Sequence, residues 1–458
     1  MGAMIGAAYG VHNRSGRRLA GFRGPLLESG HLSQQNRMLM TMLSAFRNRY
    51  LSALQYSDYR WVWLGSMSSQ SAYWALLVAR GVLVLEMTGS SALVGVTTFA
   101  AMVPRVIIPP LAGFLADRFD RRKVLASSYV FQMMHGVVLT VLAYTGVLEV
   151  WHIVVLSLVN GSFRTFQMTA VQALTPNLVP REHWLNAIAM NQLTQQGSRL
   201  VGPGLVAPAM LLAGPEAAFA VSTLFYVAGI AGVLSIRTRA SGGLDRGSRL
   251  GASLLEAGRY AWGHPQLRAM FILVALHCSM TMAFESTLPV LARDELGLGM
   301  GGVSYLMMAV GAGAVLAVFA VAGSRNAAHR GRILLVTGLA SGASMAGLAA
   351  AETAPLALLA AAVMGGSQAS FMAVAGAMIQ SLAPDSMRGR ITGLNQINVG
   401  GTMALVNLVN GFAADWYGAP VVLTVMGLGF AGVAVASLLI ATMRGVYSGE
   451  IALPTRAS

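Results

Sequence analysis

Runs of apolar residues recur along the whole chain, each roughly 20 residues long and so able to cross a bilayer core about 30 Å thick as a helix. Twelve are present: 61–86, 92–116, 124–147, 151–178, 185–212 and 216–236, then, after a polar break, 267–292, 301–323, 332–351, 355–382, 391–414 and 419–443. Only 10% of the 458 residues are charged, against about 25% in ordinary soluble domains. A transmembrane β-barrel needs short alternating strands, and these runs are too long and too continuously apolar for that. The expected fold class is an all-α membrane protein with 12 transmembrane helices in two six-helix bundles.

The net charge of +14 raises nucleic acid as a partner. The charge lies between apolar runs rather than on one soluble domain, so nucleic acid is set aside. Segments that would share one side of the membrane hold 26 of the 31 Lys and Arg, and the opposite loops hold only Arg293. By the positive-inside rule both termini are expected in the cytoplasm. The domain plan is a basic cytoplasmic arm (1–57), a first bundle (58–236), a cytoplasmic linker (237–266), a second bundle (267–443) and a cytoplasmic tail (444–458). Within the linker, "LGASLLEAGRYAW" has the pattern of a short surface helix. The arm lacks the order of a secretory signal. Cys278 is the single cysteine and cannot form an intrachain disulfide.

Charge is concentrated in "LAGFLADRFDRRKVL", residues 111–125. A cytoplasmic loop explains its basic residues but not Asp117 and Asp120, because acids contribute little to topology. The halves echo each other weakly: "GFLADRFDRRK" and "AGSRNAAHRGR" each place a glycine and a short basic loop after the second run of their half. Internal duplication, with the substrate site between the halves, is a transporter layout. "GFLADRFDRR" resembles the loop 2–3 signature of the major facilitator superfamily. Gly113, Asp117, Arg118, Arg121 and Arg122 match, and Asp120 stands where the general signature has Gly. That departure is similar to the branch holding the enterobactin exporter and macrolide efflux pumps. "YSDYRWVWLG", "LNAIAMNQLTQQGSRLVGPGLVAP" and "APDSMRGRITGLNQ" also resemble that branch, over roughly residues 55–445.

The resemblance implies a rocker-switch transporter with a central cavity between the bundles. It implies secondary active transport, most often proton-driven export, in a bacterial inner membrane. It further implies that Asp117 bonds across the bundle interface when the cytoplasmic side is closed. Arg121 and Arg122 would then hold neighbouring helix ends or lipid phosphates, so that Gly113, Asp117, Arg118, Asp120, Arg121 and Arg122 form a conformational latch. The Gly202–Pro203 pair resembles the antiporter signature of the fifth span. From the residues alone, Gly197, Ser198, Gly202 and Gly204 form a small face for close packing, while Pro203 and Pro208 each remove a helix hydrogen bond. A pivot, a seal and ordinary packing are all compatible with that pattern.

Ionisable residues inside a span are costly and are functional candidates. Of the 17 acids, Glu285 alone falls well inside a run, followed one turn later by Pro289. A carboxyl group there suits a proton carrier, or a structural ion pair. His277 and Thr281 precede it on roughly the same helix face, and His277 is the candidate to share the proton or the substrate. Four arginines lie inside runs of the first half: Arg80, Arg105, Arg164 and Arg199. If several line the cavity, it is positive and favours anionic cargo. Gln70 and Gln368 are further candidates for cavity lining. No catalytic constellation, metal-ligand spacing or nucleotide loop is present, so no cofactor and no enzymatic activity are expected. The expected partners are a small-molecule substrate, protons and membrane lipid, with the protein a monomer. An anionic-lipid or lysolipid carrier is the alternative, motivated by the arginine excess. A non-transporting scaffold or sensor is a third reading.

Overall fold

In lipid every backbone polar group must be satisfied within the protein, so long apolar runs become helices. The computed structural model describes residues 52–238, 250–299, 301–321, 327–384 and 387–449, and among these the chain is helical, with no strand. The first half comprises α1 (Ser57–Thr88), α2 (Ser91–Met102), α3 (Pro104–Ile107), α4 (Pro109–Arg118), α5 (Arg121–Tyr144), α6 (Val150–Leu178), α7 (Trp184–Ala213) and α8 (Glu216–Leu234). In the linker lies α9 (Leu250–Gly263), the surface helix expected from sequence. The second half comprises α10 (Pro265–His277), α11 (Leu288–Val290), α12 (Gly302–Val321), α13 (Ala327–Ala349), α14 (Ala354–Leu382), α15 (Arg388–Tyr417) and α16 (Ala419–Ala436), followed by α17 (Ala441–Ser448).

Among the described residues seven helices are long and apolar enough to cross a membrane, and Ser91–Ile107 and Gly302–Ala317 are shorter apolar helices. The difference from twelve has physical causes. The second run is split at Val103 and Ile108, because Pro104 and Pro109 each remove a helix hydrogen bond. The seventh run is split around Glu285. The fourth and fifth runs are long helices, α6 and α7, whose mean hydropathy is lowered by Arg164, Gln167, Gln192, Gln195, Gln196 and Arg199. The last run ends at Ile440, and α17 follows as a separate short helix.

The helices of each half pack mainly on one another. In the first half α1 lies against α7 and α8, and α5 against α6 and α8; in the second, α14 lies against α12 and α13, and α13 against α16. Between the halves the main contacts are α2 on α15 and α7 on α12. These are the second with the eleventh run and the fifth with the eighth. A twofold relation that swaps the halves converts one pair into the other. Outward faces are apolar, with Leu212, Leu234, Leu316, Val336 and Leu359 all exposed, as lipid contact requires.

The α1–α7 contact shows why position 202 is glycine. A side chain there would run into the Ser71 carbonyl of α1. Gly202 therefore lets two backbones touch, while Pro203 and Pro208 lie inside a helix that runs unbroken to Ala213.

Candidate functional site

A cavity of about 350 Å³ lies between the halves, lined by α1, α3, α6 and α7 on one side and by Met282, α14 and α15 on the other. Its residues come from the start of α1, α7 and α15 and from the end of α6 and α14. Those are the ends that carry the arginine-rich loops. Gln172, Gln192 and Gln380 are exposed, so the cavity is reached from that end. Its polar lining is dominated by amides, eight glutamines and two asparagines, and Arg105 is its one charged residue. Gln70 lines it, 4% exposed, and donates to Gln195 Oε1 at 2.6 Å. Gln167, which also lines it, accepts at Oε1 from both Ser69 Oγ and Gln132 Nε2, each at 2.9 Å.

The roof is the broken seventh run. After α10 a π-turn covers Cys278–Met282, residues 283–287 leave the helix, and Pro289 opens the three-residue α11. Irregular backbone at membrane depth persists only where protein buries it or where it lines a cavity. Here side chains from neighbouring helices supply the missing partners. Asn410 donates to the Ala283 carbonyl at 2.7 Å, Gln368 to the Thr281 carbonyl at 2.5 Å, and Ser286 N–H to Asn407 Oδ1 at 3.1 Å. Glu285 lies in this break, 4% exposed, and its Oε2 accepts from Asn407 Nδ2 at 3.4 Å. Among the described residues no basic group lies within ion-pair distance of it. Met282, three residues earlier, lines the cavity.

All four intramembrane arginines, Arg80, Arg105, Arg164 and Arg199, act on Glu285 electrostatically. They are held separately from it. Arg80 donates to the Leu76 carbonyl at 3.1 Å and to Ser157 Oγ at 2.7 Å. Arg164 lies with its guanidinium carbon 3.2 Å from the centre of the Tyr73 ring, and Arg199 lies 4.4 Å from that of Trp74. Desolvated cation–π contacts of this kind are worth about 2 kcal/mol. Tyr73 and Trp74 pack edge to face at 5.2 Å, so one aromatic pair on α1 serves arginines from α6 and α7. Of the residues expected to line the cavity, Gln70 and Arg105 do so. Arg80, Arg164, Arg199 and Gln368 are not among its lining residues. His277 is fully buried, stacked on Phe371 at 3.9 Å and edge-on to Phe430 at 5.0 Å. Neither of its ring nitrogens has a hydrogen-bond partner, so the structure does not join it to Glu285.

At the opposite end the halves are clamped. Asp415 of α15 accepts from Ser91 N–H at 2.6 Å, Ala92 N–H at 3.1 Å and Ser90 Oγ at 2.6 Å. It thereby caps the N-terminus of α2 from the other bundle. One turn below, the backbones meet. A Cβ on Gly411 would lie 2.6 Å from the Ser91 carbonyl, and one on Gly95 would lie 2.9 Å from that of Asn407. Pro289 packs on Gly81, and Arg293 reaches the Leu85 carbonyl at 3.5 Å. Sequence reasoning missed Asp415 because it lies just past an apolar run. A signal was present: Gly411-Phe-Ala-Ala-Asp415 repeats Gly113-Phe-Leu-Ala-Asp117 at four of five positions.

In the charged loop, Asp120 accepts from Arg122 N–H at 2.9 Å and caps α5. Arg121 donates to the Ala173 carbonyl at 2.7 Å and to Asn177 at 2.9 Å, at the end of α6. Arg122 donates to the Ile236 carbonyl at 2.6 Å, just past α8. Arg118 lies 5.8 Å from the Phe114 ring, and Gly113 is on α4. The side chain of Asp117 lies outside the described residues. Across the same end Arg390 pairs with Glu256 of α9 at 2.8 Å.

Residues 49–449 match the family model of transmembrane secretion effectors, MFS_3. The chain is 28% identical to macrolide efflux protein A of Streptococcus pyogenes over 146 residues, 32% of this chain and 36% of that protein. It thus spans about a third of that relative's length. It is 26% identical to the enterobactin exporter EntS of Shigella boydii over 360 residues, 78% of this chain and 85% of the exporter. Among solved structures, a point mutant of the nucleoside transporter NupG superposes with a TM-score of 0.68 at 14% identity, covering 84% of this chain and 99% of that one. At that identity the likeness is one of fold.

Proposed function

The chain belongs to the transmembrane secretion effector family, and on that premise we propose that it exports small amphipathic molecules across a bacterial inner membrane in exchange for protons. Transport proceeds by alternating access between the two halves. In this reading the chain crosses the membrane twelve times with both termini cytoplasmic, so that the cavity faces the arginine-rich cytoplasmic side and the clamp faces outward. The protein acts as a monomer, with cargo, protons and lipid as its partners, and it performs no chemistry on the cargo.

The observation that carries the proposal is Glu285. It is a carboxyl group buried in the roof between cavity and clamp, on backbone already released from the helix. Four arginines act on it and none is paired with it. Taking up a proton there removes a buried negative charge from the field of Arg199 and Arg105. The balance of forces on the roof then changes without any covalent step. Asn407 and Asn410, which tie the roof to α15, transmit the change to the helix that carries the clamp. His277 enters through packing with Phe371 and Phe430. Arg80 and Arg164 lie buried inside the first half, which removes the motive for a lipid-facing carrier.

The test is efflux from proteoliposomes under an imposed pH gradient. Glu285→Gln, which keeps the shape of the side chain but cannot exchange a proton, is expected to abolish gradient-driven movement while leaving downhill exchange. Unaltered gradient-driven transport in this variant would refute the proton-carrier role.

A further inference from the structure

The lining of the cavity specifies a class of cargo. Sequence alone points to a positive chamber for anions if several arginines face it. The structure leaves only Arg105 there, and Arg105 also acts on the carboxylate of Glu285 in the roof. The rest of the polar wall is amide. Gln70 Oε1, Gln196 Oε1 and Asn395 Oδ1 are buried and have no hydrogen-bond partner, although Gln70 is 4% exposed. A buried polar group left unpaired costs about 1–3 kcal/mol, so a turn of these side chains that brings the oxygens into the cavity is repaid by a donor on the cargo.

An amide presents both a donor and an acceptor. Its neutral match is the hydroxyl group, which is also both. A carboxylate offers acceptors alone and brings a charge that amides do not neutralise. A free cation meets Arg105 and no lining acid. Met168, Met282, Met372 and Val171 supply an apolar wall that adapts to ring systems.

Resting on the transport reading above, we propose that this cavity takes an uncharged, hydroxyl-rich amphiphile, of the kind formed by a glycoside with an apolar aglycone.

The experiment compares 4-nitrophenyl β-D-glucoside with 4-nitrophenyl β-D-glucuronide, which differ only in a hydroxymethyl against a carboxylate. The full chain is reconstituted in proteoliposomes with an imposed pH gradient. Expected is glucoside movement about tenfold above that of the glucuronide. Gln70→Leu and Asn395→Leu should each lower glucoside movement about fivefold, the effect of one lost hydrogen bond. Thermal unfolding of each variant controls for folding, and Gln70→Asn should restore part of the loss. A preference for the glucuronide that disappears in Arg105→Gln overturns the cargo class and leaves proton-driven transport standing. Glucoside movement that ignores both the gradient and Glu285→Gln supports the cargo class and sinks the proton reading. Movement of neither probe overturns the cargo class.

Discussion

The two ends of the interface between the halves use opposite materials. At the clamped end α2 and α15 meet backbone to backbone at Gly95 and Gly411, and a single carboxylate, Asp415, caps α2 across the interface. At the cavity end the corresponding space is filled by long amide side chains that leave about 350 Å³ between the halves. Glycine contact is all or nothing, because backbone has no rotamer with which to yield. Amide side chains reorganise at small cost. Under the proposed alternating access, the interface opens at one end while closing at the other, which needs a contact that breaks cleanly and a lining that adapts. Here they are segregated to the two ends, with Glu285 in the roof between.

The largest blow to this contrast is steric. Gly411→Leu places a side chain where even a Cβ would lie 2.6 Å from the Ser91 carbonyl and 3.1 Å from Gly95 Cα. Overpacking of this kind costs about 1–3 kcal/mol where neighbours yield, and backbone does not. The clamped state should be lost. The readout is maleimide labelling in a Cys278→Ser background. Ser91→Cys, at a position 1% exposed in this state, becomes reactive, and Gln380→Cys at the cavity end becomes protected. Unchanged labelling at both would show that the glycine contact does not hold the state.

Electrostatic loss at the same place is expected to be smaller. Asp415→Ala removes the acceptor for two N–H groups and a hydroxyl. Caps and helix-end charges at exposed sites are worth about 1–2 kcal/mol. The labelling ratio should shift toward an open Ser91 by roughly 5–30-fold. Asp415→Asn, which keeps one acceptor oxygen, should shift it less. Equal effects for Ala and Asn would mean that charge carries the whole clamp.

Different parts of this arrangement were legible in the sequence to different degrees. Hydropathy revealed the helical class, and the spacing of Glu285 from the nearest charges revealed its isolation. The break around it was only half visible. Pro289 announced a bend, but the unwound turn depends on Asn407 and Asn410, more than 120 residues away. The arginines were visible as a problem of charge, whereas their solution was not, because Tyr73 and Trp74 read as ordinary aromatic packing. Asp415 acts on a helix 324 residues distant in sequence. Only the repeated Gly-Phe-x-Ala-Asp links it to the loop that sequence reasoning singled out.

The smallest expected effect lies in that loop and sharpens the contrast from the cavity end. Asp120 departs from the general signature, which has glycine there, and the structure shows it capping α5 through Arg122 N–H. Its φ of −58° is open to any residue, so a glycine is not needed there for backbone reasons. What the position requires is a good helix start. Aspartate provides one with its carboxylate, and glycine provides one by leaving the N–H groups open to water. At N-caps, replacing Asp by Ala costs about 1 kcal/mol and replacing it by Gly only a few tenths. Asp120→Ala should therefore lower thermal stability measurably, and Asp120→Gly should be nearly silent. Neither should change the labelling ratio between Ser91→Cys and Gln380→Cys, because this cap lies within one half, whereas that of Asp415 spans two. A shift in the ratio with Asp120→Gly would make Asp120 part of the moving interface and erase the distinction between a cap that builds a helix and a cap that joins two bundles.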